Sequence, residues 1–109
     1  MNLEKWHSQL RKGTLEFIIL LVLKKNDFYG YELIKQIRRT LDLHTSEGTI
    51  YPILTRLKKS GLVSDRWEHP ETGIPRKYYS ITQKGNETLD SMKNEWRDFA
   101  SSIEKLMRS

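Results

Sequence analysis

Apolar side chains recur at helical spacing in four stretches of this chain, and a pair of strand-like segments stands between the third stretch and the fourth. The first stretch, Leu10 to Lys25, carries Leu15 and then Phe17 to Leu23 without interruption, so its apolar residues cover nearly all sides. A helix of that kind needs more than one neighbour to bury it, and a second chain is one source of cover. Leu3, Trp6 and Leu10 continue the spacing at i, i+3 and i+7, which allows an earlier start. In the second stretch, Tyr29 to Leu41, Leu33, Ile34, Ile37 and Leu41 share one face, while Lys35, Arg38 and Arg39 lie on the others. Asn26-Asp27 precedes it as a turn and cap signal, and Asp42 to His44 forms a short turn after it.

The third stretch organises the rest. Wound at about 100° per residue from Gly48, Ile53, Leu57, Ile50 and Leu54 fall at roughly 140, 180, 200 and 240°, which is one apolar stripe. Tyr51, Thr55, Lys59 and Pro52 gather on the opposite arc, flanked by Thr49 and Arg56, with Lys58 just outside Tyr51. Thr45 or Ser46 caps this helix, and Ser60-Gly61 ends it. Pro52 is accommodated because the residue four back, whose carbonyl its ring presses on, is Gly48.

Val63 to His69 and Arg76 to Ile81 are rich in strand formers and are separated by Pro70-Glu71-Thr72-Gly73-Ile74-Pro75, a hairpin with a long, proline-bounded tip. Thr82 then caps a last helix with apolar residues Leu89, Met92, Trp96, Phe99, Ile103 and Leu106 at gaps alternating between three and four, a heptad seam. From Gln83 to Met107 that helix extends roughly 37 Å, longer than a small three-helix core can cover. The surplus seam predicts packing against a second copy. The expected fold is mainly α with a small β-hairpin: a winged helix-turn-helix over 1–81, plus a long dimerisation helix over 82–109 that forms one compact unit with the N-terminal helix.

Charge turns this outline towards a partner. The net charge is +5, and all of the excess lies before residue 82, where 14 Lys/Arg face nine Asp/Glu. Such asymmetry suits a polyanion. On the third helix, the candidate DNA-binding residues are Ser46, Thr49, Tyr51, Thr55, Arg56, Lys58 and Lys59, whose ammonium, guanidinium and hydroxyl groups suit phosphates and base edges. Arg76 and Lys77 join them where the returning strand leaves the wing tip.

Other classes are disfavoured. His7, His44 and His69 fall in separate segments with no carboxylate cluster, so no metal triad or catalytic dyad is indicated, and there is no phosphate-cradling glycine motif. An enzyme is not expected, nor is a cofactor. With no cysteine and no secretory pattern at Met1 to Gln9, a cytoplasmic location is expected. The longest apolar run, Phe17 to Leu23, is far short of the roughly 20 residues of a membrane span. Two rivals remain: a winged helix serving protein interaction or ligand sensing without DNA, and a binder of structured RNA.

Four motifs, in order, carry a resemblance. Gly30-Tyr31-Glu32-Leu33, Gly48-Thr49-Ile50-Tyr51-Pro52 with Leu54 and Arg56-Leu57, Gly61-Leu62-Val63, and Arg76-Lys77-Tyr78-Tyr79 with Ile81-Thr82 and Gly85 resemble the PadR family of transcriptional regulators, over residues 13–107. The single C-terminal helix looks like the compact subfamily, which dimerises through that helix and the N-terminal one. The resemblance implies a bacterial repressor that binds an inverted repeat as a homodimer and releases it when an effector binds. It places Tyr51, Thr49 and Thr55 at the major groove or its phosphates, and Arg76 and Lys77 on the wing. Multidrug-sensing relatives stack flat aromatic ligands on a tryptophan of the last helix. Trp96 matches that position, with Met92 and Phe99 as candidate walls, though a tryptophan in a heptad seam is most often dimer core. Lys58 departs from the family, where glutamate is common; it either strengthens the phosphate grip or forgoes a local ion pair.

Overall fold

The computed structural model describes residues 1–41, 46–71 and 73–109. Helix α1 runs Leu3–Lys25, with Asn2 at its N-cap accepting from the Glu4 amide at 2.8 Å. The earlier start offered by Leu3, Trp6 and Leu10 is the one adopted. Strand β1 is Phe28–Tyr29, α2 is Gly30–Leu41 and α3 is Glu47–Lys59. Strands β2, Val63–Glu68, and β3, Arg76–Ile81, form the hairpin, and α4 spans Gln83–Arg108. The turn expected at Asp42 to His44, the alternative cap Thr45, the side chain of Leu41 and Thr72 of the wing tip lie outside the described residues.

The sheet has three antiparallel strands in the order β1-β3-β2, where the sequence suggests a hairpin alone. Tyr29, read from the sequence as the first residue of the second helix, pairs instead with Tyr78, and Phe28 pairs with Tyr79. This short β1 occupies the outer edge of β3. The register of β2 on β3 sets Asp65 opposite Tyr79, Trp67 opposite Lys77 and Glu68 opposite Arg76.

The core is built by the predicted stripes. Leu15, Ile19, Leu20 and Leu23 of α1, Leu33, Ile34 and Ile37 of α2, and Ile50, Ile53, Leu54 and Leu57 of α3 are all buried, and Val63, Tyr79 and Leu89 close the cluster. Helix α3 continues unbroken through Pro52. It ends in a Schellman arrangement: the Gly61 amide donates to the Lys58 carbonyl and the Leu62 amide to that of Leu57, both at 3.0 Å, with Gly61 at φ +78°. Thr82 then joins two helix ends, because its hydroxyl donates to the Gly61 carbonyl at 2.6 Å and accepts from the Gly85 amide at 3.0 Å. Gly85 has no alternative residue there, since a Cβ would run into the Leu62 carbonyl. These links fix α4 to the end of α3, and so fix the hairpin between them.

Helix α4 leaves the core after its second turn. Leu89 is enclosed in the core of its own chain, fully buried. It therefore has no surface to offer a second copy, and its place in the dimerisation seam is corrected: heptad spacing reports an apolar face but not which chain covers it. Beyond it, Met92 is half-buried, Trp96 is 44% exposed, Phe99 61% and Leu106 74%. Leu3, Trp6 and Leu10 of α1 are exposed alongside. Among the described residues, no helix is long and apolar enough to cross a membrane.

Candidate nucleic-acid interface

The outward face of α3 presents the residues expected there, and the packing decides how each is held. Tyr51 stands at the junction of α3, α2 and the sheet, 37% exposed. Its ring lies against Gly30: a Cβ on Gly30 would sit 2.5 Å from the Tyr51 hydroxyl and 2.7 Å from its Cε1. The missing side chain at the start of α2 is thus what lets the phenol occupy this position. Partial burial, reinforced by the Glu47 carboxylate, pushes the Tyr51 pKa up, so the phenol keeps its proton and can donate as well as accept.

Ser46 holds the N-cap position of α3, but its hydroxyl meets that of Thr49 at 3.1 Å and makes no capping bond to a backbone amide. Both hydroxyls are exposed. The Thr55 hydroxyl donates back to the Tyr51 carbonyl at 3.1 Å, which leaves its oxygen as an acceptor.

The cations divide into two groups. Arg56 pairs with Glu16 of α1 at 3.0 Å. Lys58 and Lys77 converge on one carboxylate, Asp65, at 2.9 and 3.5 Å. Lys58 therefore has an ion pair, and the alternative in which it forgoes one is set aside: its partner lies on β2, seven residues on in sequence. The hydrogen bond from Lys58 is the main reason the Asp65 carboxyl is held below the usual carboxylate range, with Lys77 adding to it. Lys59 and Arg76, by contrast, enter no ion pair among the described residues. Arg76 lies over the Tyr29 ring, 4.6 Å from its centroid, and Lys77 over Trp67 at 5.5 Å.

These contacts bring in residues that sequence reasoning missed. Tyr29, Tyr31, Tyr51, Trp67, Arg76 and Lys77 border a cleft of about 370 Å³ where α2, α3 and the wing meet. Tyr31 could have been found, because Lys35 follows it by four residues and lies 5.2 Å from its ring centroid. Trp67 and Asp65 could not, since their partners follow from the β2-β3 register and from how α3 lies against β2.

A second surface forms where α4 passes α1. Phe17 and Trp96 are 6.0 Å apart at 39°, and with Met92, Phe99, Gly13 and Thr14 they border an open cleft of about 410 Å³. Met92, Trp96 and Phe99, the candidate effector residues, are thus together on one face. Ile103 and Leu106 lie further along the same helix, where α4 has left the core.

Residues 19–91 match the Transcriptional regulator PadR-like family. The chain belongs to that family. Its relatives include the Transcriptional regulator YqjI of Escherichia coli, 36% identical over 85 residues, 76% of this chain; the chain spans only 39% of YqjI. An Uncharacterized protein X of Lysinibacillus sphaericus is 31% identical over 102 residues, covering 92% of this chain and 94% of the relative. Among solved structures, a PadR-like transcriptional regulator from Bacillus cereus superposes with a TM-score of 0.84 at 36% identity, over 93% of this chain and 98% of the other. A PadR family transcriptional regulator from Eggerthella lenta does so with a TM-score of 0.86 at 30% identity, over 96% and 91%. The family consists of transcriptional regulators, not enzymes, and the winged helix of this chain is the DNA-binding fold of PadR-like proteins.

Proposed function

We propose that the chain is a repressor that binds an inverted-repeat operator as a homodimer. The observation that carries this reading is the common face formed by α3 and the wing: Ser46, Thr49, Tyr51, Thr55 and Lys59 point outward from α3, and Arg76 stands beside them on β3 without a carboxylate partner among the described residues. In this arrangement α3 enters the major groove, Arg56 and Lys58 serve phosphates at its end, and Arg76 and Lys77 reach the backbone or minor groove. Repression by occupancy requires only this surface.

Dimerisation uses the exposed part of the α4 seam, Met92, Trp96, Phe99, Ile103 and Leu106, with Leu3, Trp6 and Leu10 of α1 as further apolar cover. Residues 1–81 form the DNA-binding part and 82–109 the dimerisation helix, whose opening turns are anchored in the core by Gly85 and Leu89. A cytoplasmic location follows from a chromosomal target. A small planar aromatic effector, stacking on Trp96 between Met92 and Phe99, is the release signal, supported by the cleft that these side chains border.

Duplex binding across a salt series tests the reading. Affinity should fall steeply, by a factor of roughly 10³ or more between about 50 and 200 mM salt if six or more phosphates are contacted. Binding that ignores salt, or that prefers hairpin RNA at matched charge, would overturn it in favour of an interaction module or an RNA binder. For the effector, planar dyes should quench Trp96 fluorescence; dyes that leave it untouched would remove that part.

A further inference from the structure

Asp65 sits in the seam between α3 and the wing, on β2 opposite Tyr79. Its side chain is only 15% exposed, and its Oδ2 accepts from Lys58 Nζ in the last turn of α3 at 2.9 Å while facing Lys77 Nζ on β3 at 3.5 Å. One carboxylate thus holds two ammonium groups from the two elements that approach a duplex separately.

Two consequences follow from electrostatics and geometry. A phosphate that approaches Lys58 or Lys77 must compete with a carboxylate already in place, and the three groups present a net charge of +1 where the lysines alone would present +2. Attraction to DNA of any sequence grows with the number of phosphates neutralised, so this acid holds it down. The same bridge ties the end of α3 to both strands of the wing, which fixes the angle at which the two meet a duplex. Reading of base edges depends on that angle, whereas phosphate attraction tolerates variation in it.

We propose that Asp65 is a specificity-determining positioning residue: it withholds Lys58 and Lys77 from indiscriminate phosphate contact and locks the wing against α3, so that affinity depends on the fit of α3 more than on charge. The proposal rests on the DNA-binding reading above. It also differs in sign from an ordinary structural bridge. Loss of a structural bridge weakens binding to every duplex; loss of this one strengthens binding to random duplex.

The test compares the whole chain with Asp65→Asn, using a random-sequence duplex pool and the duplexes that the wild-type chain selects from it. Asp65→Asn should bind random duplex roughly five- to tenfold more tightly at about 0.1 M salt, with a salt slope steeper by about one. The ratio of selected to random affinity should fall by a similar factor. Asp65→Ser should shift both in the same direction, Asp65→Glu should stay close to wild type, and the gain should vanish in a Lys58→Ala/Lys77→Ala background. Random-duplex affinity that is unchanged or weaker in Asp65→Asn, or a gain that survives without the two lysines, overturns the proposal. A wild-type chain that binds no duplex is a different result, since it sinks the DNA-binding reading itself.

Discussion

Gly30 and Tyr51 illustrate how one absent side chain sets a functional one. The atoms that a Cβ on Gly30 would meet are the far end of the Tyr51 ring, which can swing aside into solvent. Gly30→Ala should therefore lower stability by less than about 1 kcal/mol, because exposed ring atoms can yield. It should weaken duplex binding by roughly tenfold, the loss of one well-placed contact. Thermal unfolding and duplex titration of the same sample separate the two effects, and a variant with reduced stability but intact binding would contradict the role given to Tyr51. Asp65 makes a pH-dependent prediction. Its folded pKa is depressed by Lys58 and Lys77, so the stability it contributes is present above the unfolded carboxylate value, about pH 4, and is lost as pH falls through the depressed folded value. Wild type should exceed Asp65→Asn by about 1 kcal/mol at neutral pH, the scale of an ion pair whose ammonium groups are still screened by solvent. Unfolding midpoints should converge as the pH falls through that depressed value, and a gap that does not begin to narrow below about pH 4 would contradict the assignment.

At the scale of elements, helical periodicity is the legible part of this sequence. The stripe Ile50, Ile53, Leu54 and Leu57 on α3 repeats locally, and burial follows it position by position. Strand β1 is not legible, because two residues have no period and Phe28–Tyr29 becomes a strand only by pairing with β3, some fifty residues away. The pairing of Lys58 and Lys77 through Asp65 is hidden for the same reason: it depends on the β2-β3 register and on how α3 lies against β2. The outward groups of α3 can be named from the sequence, but not which cations are already engaged by an acid. That distinction sharpens a prediction. Lys59→Ala and Arg76→Ala, at cations with no ion pair among the described residues, should each shallow the salt slope of duplex binding by about one unit. Arg56→Ala should change it less, because Glu16 already offsets that charge. Equal slopes for all three variants would contradict the division.

For the whole molecule, the heptad seam could be read as an apolar face but not as an interface, and Leu89 marks the difference: it completes the core of its own chain, while Phe99, Ile103 and Leu106 stand on a helix that extends well past that core. A structure 60 Å in its longest dimension, with so much apolar surface at one end, is the physical basis for expecting a second copy. Ile103→Glu with Leu106→Glu should give a folded monomer by sedimentation at micromolar concentration, with helical content retained; a wild-type monomer under the same conditions would remove the dimer. The most direct measurement combines partner and symmetry: selection of bound fragments from a pool of random duplexes by the purified chain. The expected result is an enriched palindrome whose half-sites lie about one helical turn, 10 to 10.5 base pairs, apart or a multiple of it. Recovery of no common sequence, or of a single unrepeated site, would contradict a dimer that places two copies of α3 and the wing on one operator.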